Sequence, residues 1–165
     1  MTIRSATATD AEAITGMLRR LAEETGDGAR FASTPEAIRT HGFADAPLFE
    51  TLLAERQGTA AGMALFFPHF STTLGAPGVY VQDLWVAPEA RGIGIGAALL
   101  AAVARRATIE WGAAYLALSR HVHNDGAAAF YARLGFATQN DLMHMYLAGD
   151  GFSQLATPPT AEAAP

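Results

Sequence analysis

"VQDLWVAPEARGIGIG", residues 81–96, is an apolar run that meets a proline and then passes an arginine into three closely spaced glycines. Val81, Leu84, Trp85 and Val86 are the side chains of a buried central strand, and Pro88, with no N–H to donate, ends it. Beyond the glycines, Ile95, Leu99 and Val103 recur at helical spacing, which predicts a helix from about Gly94 to Glu110. Glycine weakens a helix start, so three of them there need a reason. A strand, a tight turn and a helix N-terminus aim unpaired amides outward from the positive end of the helix dipole, which suits phosphate. Glycine lets that backbone approach closely, and Arg91 adds a cation. The stretch predicts an anionic, diphosphate-bearing ligand. The competing account is that the glycines only allow helix and strand to pack closely.

Spacing narrows the ligand. A nucleoside-triphosphate loop needs G-x-x-x-x-G-K-[ST], and the chain contains no lysine. A dinucleotide loop needs G-x-G-x-x-G and an acid ending the next strand. Here the pattern is G-x-G-x-G, and Glu110 falls at a helix end before that strand.

Outward from this stretch, "TIRSA" is a strand candidate, and Thr9 with Glu12 forms a capping box for a helix that stops near Gly26. Residues 34–43 predict a short helix capped by Thr34, with Pro35 in its first turn. Residues 48–70 predict two strands about a Gln57-Gly58 turn. Downstream come a strand at 113–119, a helix at 124–135 with an Asn/Asp cap and Gly135 as its stop, and a last strand at 143–148. Residues 1–148 are expected to form one domain, with 149–165 an extended or mobile tail. Strand, helices, antiparallel strands and then β-α-β-α-β give an α/β or α+β class, a sheet covered by helices.

Composition sets outer limits. Half of the 165 residues are hydrophobic, enough for a buried core, and the net charge of -5 opposes nucleic-acid or anionic-membrane surfaces. With no cysteine there is no disulfide, thiolate metal site or cysteine nucleophile. No secretory leader or membrane-length apolar run is apparent, so a cytoplasmic protein is expected. His121 and His123 alternate onto one strand face without a third ligand, so no metal is expected. Arg19, Arg20, Glu23 and Glu24 read as a solvated helix face.

Arg91-Gly92-Ile93-Gly94-Ile95-Gly96 fits [Q/R]-x-x-G-x-[G/A], and "NDGAAAFYARLGF" places an Asn before a helix ending in F-Y-x-[RK]-x-G-F. Both resemble the GNAT superfamily of N-acetyltransferases, most of all its diamine (spermidine/spermine) and thialysine acetyltransferase branch. "HGFADAPLFETLLAE" and "STTLGAPGVYVQDLWV" extend the likeness, which covers roughly residues 2–147.

The resemblance implies a mixed, mostly antiparallel sheet splayed at its centre, helices on both faces, acetyl-CoA as cosubstrate, and a homodimer. Leu84, Trp85 and Val86 would offer backbone to the pantetheine arm and acetyl carbonyl, while Arg91, Gly92, Gly94, Gly96 and Ala97 would cradle the pyrophosphate. Asn124 would bond the cosubstrate near its pantetheine. Tyr131 would sit beside the thioester sulfur as proton donor; without the motif it reads as a core aromatic beside Phe130.

The branch carries a Glu-Asp pair in the central strand, and here the pair is Gln82-Asp83. Glutamine takes no proton at neutral pH. Thr25 replaces a second acidic position, so a polyamine acceptor is disfavoured. Gln82 and Asp83 stay as water-relay or acceptor-site candidates, and the base is left open. The expected function is acetyl transfer to a primary amine of a small molecule by direct attack in a ternary complex. The alternatives are a peptide or protein amine as acceptor, or a non-catalytic acyl-CoA-binding sensor.

Overall fold

The computed structural model of the chain describes residues 1–139 and 145–157. Among them one sheet has the order β1 (Thr2–Ser5), β2 (Glu50–Arg56), β3 (Thr59–Ser71), β4 (Ala76–Val86) and β5 (Leu116–Leu118). β1 to β4 are antiparallel neighbours, and β5 joins β4 in parallel. A parallel neighbour requires a crossover, which the helix α3 (Ile95–Trp111) provides. The β2–β3 turn has Gln57 at φ 54 and Gly58 at φ 78, the two positive angles that a two-residue hairpin needs.

Helices cover both faces of this sheet. Phe66 of β3 meets Trp111 of α3 with ring centroids 6.1 Å apart. Trp85 of β4 stands opposite Met63, three residues from Phe66 and so on the other face. There its indole donates to Glu24 of α1 (Ala11–Thr25). Ile14, Leu53, Met63, Phe66, Val79, Val81, Ile95, Leu99 and Val103 are fully buried and form the core.

The helix ends follow from local chemistry, with one correction. The capping box lies at Thr7 and Asp10, not at Thr9 and Glu12: the Asp10 carboxylate accepts from the Thr7 N–H at 2.8 Å. Asp10 is also tied to Arg4 at 2.8 Å, and Arg4 in turn to Glu55 at 2.8 Å, which fixes the register of β1, β2 and the helix entry. The Glu12 carboxylate instead pairs with Arg39 of α2 (Pro35–Gly42). α2 is capped by Thr34, whose hydroxyl accepts from the Ala37 N–H at 3.1 Å. α4 (Asp125–Arg133) is capped by Asn124.

The chain divides into Met1–Leu134, which holds all of these elements, and Gly135–Pro165. In the second unit a helix, α5 (Asp150–Ala156), occupies part of the stretch expected to be extended. Asp150 in its first turn complements the helix dipole. Of the strand expected at 143–148, Met143 and His144 lie outside the described residues, and residues 145–148 adopt no regular structure. No helix among the described residues is long and apolar enough to cross a membrane.

Candidate functional site

The central strand breaks its pairing twice at one place. Val81 pairs with Phe66 and Asp83 with Leu65, so Gln82 is the extra residue of a β-bulge. On the other side, pairing with β5 runs only from Val79–Leu116 to Val81–Leu118. Past Val81 the two strands part; of the strand expected at 113–119 only Leu116–Leu118 is regular, and ahead of it the Ala114 N–H still bonds the Pro77 carbonyl at 2.9 Å. Backbone N–H and C=O groups along the β5-facing edge of β4 are therefore available to an extended ligand arm, as Leu84 and Trp85 were expected to offer. Val86 differs, since its carbonyl accepts from Arg91 Nε at 2.9 Å.

The glycine loop lies where β4 hands over to α3. Gly92 and Gly94 have φ of 78° and 88°, the left-handed region, and Gly94 caps the helix. The first helical bond runs from the Ala98 N–H to the Gly94 carbonyl at 3.0 Å, so the amides of Ile95, Gly96 and Ala97 precede the helical ladder. Gly96 lies close under α4: a Cβ there would come 3.1 Å from Cζ of Phe130, tighter than most side-chain contacts. The backbone at Gly92 and Gly94 is open to a ligand, while Gly96 lies close against α4. Gly94→Ala is expected to cost about 1–2 kcal/mol, because a Cβ disfavours that backbone, and to lower Tm by roughly 2–8 °C in a thermal melt.

Arg91 is braced from α1. Its Nη2 donates to Glu24 Oε2 at 2.6 Å while Glu24 Oε1 accepts from Trp85 Nε1 at 3.1 Å. One carboxylate at the end of α1 thus holds both the central strand and the loop. Glu24 had been grouped with a solvated helix face; the available signal was the buried Trp85, whose indole N–H needs a partner. Arg20 lies over the Trp85 ring at 5.8 Å, which completes the packing of α1 on this strand. Thr25 bonds back to the Leu21 carbonyl at 3.0 Å, as a helix-end hydroxyl does.

α4 is seated on the start of α3 through the Phe130–Gly96 contact. Tyr131 follows Phe130, with ring centroids 5.1 Å apart, and burial pushes its phenol above the ordinary value. It is half-buried rather than a core side chain. The Asn124 side chain accepts from the Ala127 N–H at 3.0 Å, so its carbonyl oxygen is committed to the helix cap. Both His121 and His123 are exposed, and His121 pairs with Asp27 at 3.2 Å. Among the described residues no three His, Asp or Glu side chains are grouped to hold a metal ion.

Asp83 is the distinctive titratable group. It is the first residue past the bulge, on the strand face of Trp85 and α1, and burial pushes its carboxyl up to about 6. Gln82 is exposed. A carboxylate near neutral pKa beside an opened strand edge is suited to accept a proton at neutral pH.

Residues 16–136 match the acetyltransferase (GNAT) family. The chain is 33% identical over 141 residues to a thialysine N-epsilon-acetyltransferase of Sus scrofa, covering 81% of this chain and 82% of that protein. It is also 33% identical over 140 residues to a mycothiol acetyltransferase of Kineococcus radiotolerans, covering 85% of this chain and 43% of the other. An integron cassette protein from the mobile metagenome of V. cholerae superposes with a TM-score of 0.75 at 21% identity, over 94% of this chain and 96% of that one.

Proposed function

The chain belongs to the acetyltransferase (GNAT) family, and on that footing we propose that it moves the acetyl group of acetyl-CoA onto a primary amine of a small molecule. The observation that carries this is the coincidence at Gln82 of the β4 bulge with the end of β4–β5 pairing, on the strand that leads into the glycine loop. The opened edge past Val81 fits the pantetheine arm, and the amides of Gly92, Gly94, Ile95, Gly96 and Ala97 fit the pyrophosphate. Bound acetyl-CoA supplies an activated acyl carbonyl and a thiolate leaving group. Thialysine, the acceptor named for the pig relative, belongs in the first amine panel.

Each residue then has a task. Asp83, directly or through one water, takes the proton from the incoming ammonium, so that the amine nitrogen attacks the acyl carbon. A backbone N–H of β4 beyond the bulge holds the negative charge that develops on the carbonyl oxygen. As the C–S bond breaks, Tyr131 gives its proton to the departing sulfur. The direct route needs no acyl-enzyme, and the chain has no cysteine to form one. The assembly in this account is a homodimer, which sedimentation equilibrium tests.

Thiol release from acetyl-CoA in the presence of a primary-amine panel is the decisive assay. Acetyl-CoA binding without thiol release would turn the assignment to an acyl-CoA sensor. Glu24→Gln adds a second check, since it removes the charge that braces Arg91 and Trp85. It is expected to raise KM for acetyl-CoA about 3–10-fold with kcat within about twofold, the size of one partly exposed charged contact.

A further inference from the structure

Resting on the acetyl-transfer assignment, we propose that the acceptor subsite is an aromatic shelf on the α1 face of the β3–β4 hairpin, and that it selects a primary monoamine with an aryl-alkyl body. Phe67 and Tyr80 are register partners whose rings stack at 5.4 Å and 24°. Phe66 faces α3, so Phe67 and Tyr80 face the other way. Leu65, opposite Asp83, lies two residues before Phe67 and shares its face. The shelf continues away from Asp83: the Tyr115 ring lies over Gly78, where no Cβ would fit, and meets His69 edge-on at 5.8 Å.

This face is the one left to the acceptor. The donor elements, α3 with its glycine loop and α4 seated on Gly96, belong to the opposite face. An amine that attacks a carbonyl held in the β4–β5 gap approaches from the α1 face, past Asp83.

The shelf's chemistry sets the class of amine. Its hydroxyls are already engaged: Tyr80 donates to Ser119 Oγ at 2.8 Å, and Tyr115 OH lies 2.5 Å from His69 Nδ1. What it offers a ligand is ring surface. Phe67, His69, Tyr80, Tyr115 and Ser119 include no carboxylate, and Asp27, which reaches the loop after β5 through His121, is also held by Arg30. Among the described residues, a second ammonium, as in a polyamine, would find no free carboxylate on this shelf. An aryl-alkyl amine would lay its ring on Phe67 and Tyr80 and extend its nitrogen to Asp83.

The test is steady-state kinetics of the whole chain at saturating acetyl-CoA with methylamine, butylamine, phenethylamine and spermidine. The kcat/KM for phenethylamine is expected to exceed those for methylamine and spermidine by at least about tenfold, the effect of burying one phenyl group. Phe67→Ala and Tyr80→Ala should each raise KM for phenethylamine about tenfold and leave KM for acetyl-CoA unchanged, whereas Tyr80→Phe, which keeps the ring, should behave as wild type. Spermidine outperforming phenethylamine, or alanine variants with unchanged phenethylamine KM, would overturn the shelf while leaving acetyl transfer standing. Alanine variants that change only the association state would overturn it too, assigning the hairpin to subunit contact. If circular dichroism shows that the alanine variants do not fold, the order of the amines on the wild-type chain decides. Thiol release from none of the amines, with acetyl-CoA bound, is the separate failure of the acetyl-transfer assignment.

Discussion

Tyr131→Phe is expected to lower kcat by about 10²–10³-fold with KM for acetyl-CoA and Tm near their wild-type values, the range general acid catalysis contributes. The leaving group is a thiolate whose conjugate acid has a pKa of about 8.5, so at neutral pH its departure gains from a proton in place. Burial pushes the Tyr131 phenol up, which keeps that proton on the oxygen throughout the working pH range. Phenylalanine preserves the ring beside Phe130 and the seat of α4 on Gly96 while removing the hydroxyl. Single-turnover rates with the preferred amine make the comparison. A rate within twofold of wild type would remove Tyr131 from the chemistry and leave it as a packing residue.

Asp83→Asn is expected to lower kcat about 10²-fold and to abolish the acid limb of the pH profile. The base form is the carboxylate, so wild-type activity should fall as pH drops through about 6, where burial has placed this group. Stability should move the other way. The folded-state pKa is raised above the ordinary 3.8, so the fold favours the protonated form. That contribution is complete below the ordinary value and is lost as pH rises through about 6. At pH 7 the wild type therefore carries a cost that the neutral amide avoids, and Asp83→Asn should melt no lower than wild type. A variant that is slower but no less stable is the signature of a group kept for chemistry. If the acid limb persists in Asp83→Asn, the base is elsewhere.

The strand–loop–helix order around Gly92 and Gly94 was legible because it depends on local rules: apolar runs, prolines and backbone angles that only glycine adopts cheaply. So were Thr34 and Asn124 as caps. What the sequence could not show is set by pairing. The bulge at Gln82 exists only in register with β3, and alternation alone gives no reason to skip a residue. The parting of β4 and β5 past Val81 depends in the same way on pairing. The ion pair of Arg91 with Glu24 was not legible, because the two lie 67 residues apart. The capping box lies at Thr7 and not Thr9 because Arg4 steadies Asp10 at the helix entry while Arg39 takes Glu12.

The contact between Phe130 and Gly96 makes one mechanical part of the loop that meets the donor and the helix that bears the proton donor. A larger residue 96 would press on the Phe130 ring, so a change made there for a bulkier acyl carrier would also be felt in the helix that bears Tyr131. On the other face Phe67 and Tyr80 stack on each other, and the Tyr80 hydroxyl is tied to Ser119. If the shelf holds the acceptor, small replacements at positions 67 and 80 would change the amine without touching the glycine loop.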